Sequence, residues 1–329
     1  MSTVSRLLRG EYVRSGDAIR QAIAELNYRP APAARTLRSR VHHAIGVVIP
    51  DITNPYFARV VKGIESVTRP TPYSVLIANT DESTEVEEEV LEDLLLRIDG
   101  LIYVPTTEQE PGSVPAGRIT VPTVLVDRDL PGDYDRVFVD NAGGAALAAE
   151  HLIGLGHREI AIISGPLTTR PGRGRHDGFV SALERAGIEI RPEHRVIADF
   201  RETGGYEAML QLLALPSVPT AVFCANNLMT LGALKALQSM RVPVPDCMSV
   251  IGFDDIDTAP LLRAPLTVIE RSVIDQGVLA ARMLFSRLTG EKSKEREEII
   301  LPTRLVERSS CAAPPAAPLR AGPPKGDGR

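Results

Sequence analysis

The sequence predicts an α/β protein, two doubly wound parallel-sheet lobes behind a small all-α head. Three observations carry this. From residue 44 to residue 271, short and nearly continuous apolar runs rich in β-formers alternate with helical patterns, the mark of parallel sheet covered on both faces. About ten such strands are more than one small sheet usually holds, so they divide between two lobes. The charge is also split: residues 1–43 hold eight Arg against Glu11, Asp17 and Glu25, on a chain whose net charge is −5.

With 329 residues the chain is long enough for two medium domains and extras. A hydrophobic content of 43% and a charged content of 24% are ordinary for a soluble protein. No apolar run approaches the ~18 residues that span a bilayer, and the N-terminus lacks the apolar core of a secretory signal. A cytoplasmic protein without membrane contact is expected. Cys224, Cys247 and Cys311 have no metal-ligand spacing and read as reduced thiols. Apart from the adjacent pair His42 and His43, the histidines show no such spacing either. The chain has no G-x-S-x-G, no Walker motif and no G-x-G-x-x-G after a strand, and "RPGRGRHDG" lacks the P-loop lysine. No enzyme, cofactor or metal is expected.

In chain order, "TVSRLLRG" (3–10) and "SGDAIRQAIAELNYRP" (15–30) read as two helices with a Gly-containing break. In the second, Ile19, Ile23, Leu26 and Tyr28 fall on or near one face. Ser15 or Asp17 caps its start and Pro30 stops it. "APAARTLRSR" (31–40) is Ala-rich and basic, with Leu37 as its one large apolar residue. Ten residues are too few for an isolated helix in water. The segment is either a linker or a piece that folds on a partner, where a lone Leu among arginines suits minor-groove wedging. A basic head on an acidic body is the footprint of a nucleic-acid module, or a solvated basic surface.

The strands follow as "AIGVVIP" (44–50), "YSVLIAN" (73–79), "DGLIYVP" (99–105), "TVLVDR" (123–128) and "RVFVD" (136–140). Then come "EIAIISG" (159–165), "AVFCAN" (221–226), "MSVIGFDD" (248–255) and "LTVIER" (266–271). Helical patterns between them include 55–69, 84–98, 141–155, 174–187, 202–214 and 228–240. Ligands of such folds sit outside the carboxyl ends of the strands, here in the crevice between the lobes. That places Asn54 and Phe57 of "DITNPYF", Asp127 and Arg128, Asn226, and Asp254 beside the crevice. Bidentate Asp and Arg groups fix the orientation of a polar ligand. Asn54 has a second reading as the cap of the helix that begins at Pro55. The tail "CAAPPAAPLRAGPPKGDGR" (311–329) is aperiodic and rich in Pro, Ala and Gly, and disorder is expected there.

"TVSRLLRG", "AIAELNYRP", "ARTLRS", "IGVVIPDITNPYF", "EHLIGLGHREIAIISGP", "AVFCANNLMTLGALKAL", "SVIGFDD" and "PLTVIER" occur in one co-linear series. Each is weak alone. As an ordered set over residues 2–308 they make the chain resemble the lactose-repressor/galactose-repressor family of bacterial transcriptional regulators. The resemblance implies a helix-turn-helix head (1–30), a hinge helix or linker (31–42) and an effector-binding and dimerisation domain of the periplasmic-binding-protein type (43–310). Lobe one is expected over 43–140 plus 271–298, and lobe two over 141–270 plus 299–310. "STVSRLLRG" matches the family's recognition helix, so the head is expected to be truncated, without the first helix of the motif.

The implied partners are operator DNA, a small-molecule effector that is often a sugar, and a second copy of the chain. At the DNA, Ser2, Thr3 and Ser5 are small donors and acceptors, and Arg6 and Arg9 suit guanine or phosphate. Asn27 and Tyr28 match a family pair near the DNA backbone, Arg35 suits a hinge–phosphate contact, and Leu37 matches the wedge. Arg175 of "RHDGF" matches the family's pocket arginine. Phe200 matches a position that holds an aromatic under the sugar in some members, with core packing as its rival. Asn227 stands where Asp is frequent and Arg271 where Gln is common. Arg128, Arg175 and Arg271 together suit an anionic effector, unless Arg271 pairs with Asp255 or Asp257. Two other readings remain open: an effector sensor without specific DNA binding, and a solute-binding protein of the same fold.

Overall fold

The computed structural model describes residues 3–7, 12–26, 41–108, 118–256, 258–290 and 295–316. The chain divides into two units, residues 1–42 and 43–329.

In the first unit, helix α1 spans Thr3–Leu7 and α2 spans Gly16–Glu25. Gly16 is buried, and a Cβ there would stand 3.2 Å from Leu7 Cδ1. Ser15 occupies the N-cap position of α2 but makes no side-chain cap bond, and Asp17 is engaged by Arg20 at 2.8 Å. Ile19 and Ile23 are half-buried while Leu26, at the C-cap, is exposed, so the apolar face is shorter than its sequence pattern implies.

The second unit begins with β1 (Ala44–Ile49), α3 (Pro55–Thr68), β2 (Ser74–Asn79), α4 (Thr84–Leu95), β3 (Gly100–Tyr103), β4 (Thr123–Val126) and β5 (Asp135–Val139). It continues with α5 (Asn141–Gly154), β6 (Ile160–Ser164), α6 (Arg170–Arg185), β7 (Arg195–Ile197), α7 (Glu202–Leu213), β8 (Ala221–Cys224), α8 (Asn227–Ser239), β9 (Ser249–Phe253) and β10 (Thr267–Arg271). Helix α9 (Val273–Leu288) and strands β11 (Glu298–Leu301) and β12 (Thr303–Val306) complete it.

The strands form two six-stranded sheets, ordered β11-β5-β4-β3-β1-β2 and β12-β10-β9-β8-β6-β7. All pairings are parallel except that of β12 with β10. Central strands such as β1, β3 and β8 are buried at every position, because helices cover both faces. On lobe one, α3 and α9 cross at glycine: a Cβ on Gly63 would lie 2.2 Å from Ile274 O, and one on Gly277 would lie 2.1 Å from Val60 O.

Four expectations need correction. The chain leaves sheet one after β11 and enters sheet two with β12, so that crossing falls at Pro302 and not at 298. Arg271 is the last residue of β10 and belongs to lobe two. Helix α6 starts at Arg170 and not at 174, because Thr169 caps Gly172 N and Pro171 fits the first turn. The start of the tail is anchored: the carbonyl of Ala312 accepts from His157 Nε2 at 2.8 Å, and Ala312 N donates to Ser249 Oγ at 3.1 Å.

Candidate functional site

The cleft between the lobes is lined at its centre by Asn54, Tyr56, Phe57, Asp127, Arg128, Arg175, Phe200, Asn226, Asn227, Asp254 and Arg271. Every crevice residue expected from the sequence is therefore brought to one place. Three of them sit in the left-handed backbone region: Asp127 at φ 66°, Phe200 at φ 64° and Asp254 at φ 70°. Asp tolerates this conformation, but for Phe it is an outlier costing on the order of 1–3 kcal/mol. The cost is met by local structure. Asn226 Nδ2 donates to the Phe200 carbonyl at 2.8 Å. Gly165 leaves the space for the ring, since a Cβ there would stand 2.1 Å from it. Strain concentrated at one cleft is a signature of function.

The electrostatic centre is Arg271. It forks onto Asp254 at 2.6 and 2.9 Å and reaches across to Asp127 Oδ1 at 2.7 Å. Its guanidinium lies over the Tyr56 ring at 3.9 Å. Tyr56 OH lies 3.2 Å from Asp127 Oδ1 and donates to Gln276 Oε1 at 2.9 Å. Burial pushes Asp127 up, but Arg271 and then Arg175 outweigh it and hold the carboxyl below its ordinary value. The expected pairing of Arg271 with Asp255 or Asp257 is not made: Asp255 is forked by Arg308 at 2.6 and 2.9 Å. Asp257 lies outside the described residues.

Arg128 is also committed. It forks onto Glu82, both contacts at 2.7 Å, and donates to the carbonyls of Pro105 and Thr106. Arg175 differs. It is 2% exposed and has no carboxylate partner among the described residues; it donates to Asn141 Oδ1 at 2.8 Å and to Ala225 O at 2.6 Å, and stacks on Phe253 at 3.8 Å. Its second terminal nitrogen, Nη2, has no partner. Burial, with Arg271 nearby, lowers its pKa to about 10. Asn227 Oδ1 and Arg128 Nε are likewise buried without partners. A buried polar atom left unpaired by the protein is a place for a ligand atom.

Asn54 and Asn226 are helix caps. Asn54 Oδ1 accepts from Tyr56 N at 3.0 Å and from Asn227 Nδ2 of the other lobe at 2.9 Å. Asn226 Oδ1 accepts from Met229 N at 2.8 Å. Phe57 is 4% exposed and belongs mainly to the lobe-one core, edge-on to Tyr56. Tyr56, Glu82, Asn141 and Gln276 were not expected. The one available signal was Tyr56's position directly after the capped Asn54-Pro55 pair, which sets it at the carboxyl end of β1. Glu108 was missed too: its carboxylate takes Asp129 N of lobe one and Arg170 N of α6, tying the lobes together.

Of the expected DNA-facing residues, Thr3, Ser5 and Arg6 lie on α1, with Thr3 and Arg6 exposed. Ser2, Arg9, Asn27, Tyr28, Arg35 and Leu37 lie outside the described residues. Among the described residues no helix is long and apolar enough to cross a membrane.

Residues 149–311 match the model of a periplasmic binding protein-like domain. The chain is 37% identical over 296 residues to the ribose operon repressor of Escherichia coli, covering 89% of each chain. It is 35% identical over 293 residues to the HTH-type transcriptional repressor PurR of Pasteurella multocida, covering 88% of this chain and 87% of that one. A solved LacI family transcriptional regulator from Enterococcus faecium, with bound ribose, superposes with a TM-score of 0.71 at 30% identity, over 82% of this chain and 99% of that one. The two-lobed fold, the cleft and this level of identity across the chain lead to one conclusion: the protein belongs to the lactose-repressor/galactose-repressor (LacI) family of ligand-responsive transcriptional repressors.

Proposed function

We propose that the chain represses transcription from an operator, as a cytoplasmic homodimer, and that its effector is a neutral monosaccharide of the ribose type seated between the lobes. The charge balance of the cleft carries this reading. Arg128, Arg175 and Arg271 face Glu82, Asp127 and Asp254, and the rim adds Asp51 and Asp199 against Arg201. No positive charge is left over, which disfavours a sugar acid or phosphate. The unpartnered Arg175 Nη2 and Asn227 Oδ1 suit a hydroxyl, which accepts and donates. The kinship with a ribose operon repressor and the ribose held by the Enterococcus protein support the same choice.

A thermal-shift and calorimetric panel of ribose, other neutral sugars, sugar acids and sugar phosphates tests it. A neutral sugar at ~100 times its Kd stabilises by about 2.7 kcal/mol. Stabilisation by the acids or phosphates alone would refute the neutral effector. For the head, Leu37→Ala is expected to weaken operator binding in a gel shift and leave sugar affinity unchanged. Loss of both would place Leu37 in a core.

A further inference from the structure

Asp127 and Asp254, which stand at the carboxyl ends of strands and line the centre of the cleft, are already occupied. Asp254 is forked by Arg271 from within lobe two, and Asp127 of lobe one takes the third nitrogen of the same guanidinium. Arg271 is 7% exposed, and the Tyr56 ring of lobe one covers its flat face. One side chain of lobe two thus makes an ion pair and a stacking contact with lobe one, at the point where ligand hydroxyls would need acceptors. The remaining cavity around this centre is about 40 Å³, far below the ~300 Å³ typical of small-molecule pockets. A second cavity of about 300 Å³, lined by Arg59, Glu270, Ser272 and Asp275, shares Tyr56, Asn227, Asp254 and Arg271 with the first.

We propose that Arg271 is an internal counter-ligand that sets effector affinity: it holds Asp127 and Asp254 and bridges the lobes until a sugar displaces it. This rests on the reading of the cleft as the effector site. Other contacts span the lobes, among them Asn54 with Asn227, Arg201 with Asp81 O, Glu108 with α6, Arg170 with Phe138 and Glu298, and Arg128 with Phe200. None of them touches Asp127 or Asp254, so none competes for the hydroxyl acceptors. A guanidinium fixed by three charge-assisted bonds is pre-organised, whereas a sugar must lose freedom to take its place. Glutamine at 271 keeps a polar group of similar reach but cannot hold two carboxylates at once.

The test uses the full chain without effector. Spin labels are placed on cysteines introduced at Leu96 of lobe one and Met240 of lobe two, both exposed, with Cys247 and Cys311 replaced by serine. Labelled chain is diluted with unlabelled chain so that one inter-label distance is read. The expected result is a single short distance for the parent, and a longer, broader distribution for Arg271→Gln. Asp127→Asn should behave in the same way, and it leaves the Arg271–Asp254 pair of lobe two intact, which guards against misfolding. Unchanged distances in both variants overturn the proposal. Calorimetry then adds ribose: Arg271→Gln is expected to bind at least tenfold more tightly, and weaker or equal binding also overturns it. If no sugar binds parent or variant, the effector reading fails, while the distances still decide the role of Arg271.

Discussion

Replacing Arg175 by methionine separates binding from stability. Arg175 is a fully buried guanidinium whose pKa falls from its ordinary value to about 10, first through burial and then through Arg271. At ~1.36 kcal/mol per unit, keeping it charged costs the folded state about 3 kcal/mol. The sign is that of a depressed cation: the cost is present at every pH below the folded value and fades only as pH rises from about 10 toward the ordinary arginine value. Against this stand its bonds to Asn141 Oδ1 and Ala225 O. Leaving two buried acceptors unpaired costs ~1–3 kcal/mol each. Methionine fills most of the volume and keeps contact with the Phe253 ring. The two sides nearly cancel, so Arg175→Met is expected within ~2 kcal/mol of the parent by urea denaturation. Sugar affinity is different, because nothing replaces Nη2: a loss of ~2–4 kcal/mol, thirtyfold to a thousandfold in Kd, is expected by calorimetry. A variant destabilised by more than ~4 kcal/mol would show Arg175 to be a structural keystone. One that retains full affinity would remove it from the site.

Gly165→Ala places a methyl 2.1 Å from the Phe200 ring and should push the ring out of the cleft. Sugar Kd is expected to rise tenfold or more with little loss of Tm, since Phe200 is only partly buried; unchanged affinity would show that the ring does not floor the site. His157 is buried, bonded to Thr220, Ser249 and Ala312, and held below its ordinary pKa by burial. Its contribution is therefore present above the ordinary histidine range and lost as pH falls through the depressed folded value. His157→Gln should cost ~1–3 kcal/mol at pH 8, and the gap to the parent should narrow on acidification; a gap constant from pH 8 to pH 5 would contradict a neutral, buried imidazole.

Most of the strands that the sequence announced are buried on both faces; the half-exposed edge strand β2 was legible from its unbroken apolar run. Six consecutive buried residues in β1 leave a run that reads without context. Strands β7, β11 and β12, which escaped, lie at sheet edges too, but each is only three or four residues long. β7 has three residues, and β11 alternates exposed with half-buried positions. Such patterns do not differ from loop, and only the neighbouring strand makes them β. The anchored start of the tail was hidden for a related reason: its bonds run through backbone atoms of Ala312, so its side chain carries no sign of His157, 155 residues away.

At the site, the strand-end rule found positions but not partners. Asp254 and Asp255 are adjacent just beyond β9, where the left-handed backbone at Asp254 turns the chain. One therefore meets Arg271 in the cleft and the other meets Arg308 outside it. The sequence reading offers Asp255 or Asp257 to Arg271 and passes over Asp254, the acid that Arg271 meets. Asp127, 144 residues away, is not offered at all. The three arginines that suggested an anionic effector thus had different fates. Two are neutralised by carboxylates, one of them Glu82 on a loop that carried no strand-end signal. Arg175 makes no carboxylate pair among the described residues, and both its Nη2 and the Nε of Arg128 are left unpaired. A count of cleft arginines does not by itself give the site's net charge, because the matching carboxylates arrive from loops and from the opposite lobe. The ligand's charge is legible only after folding has assigned each guanidinium its partner.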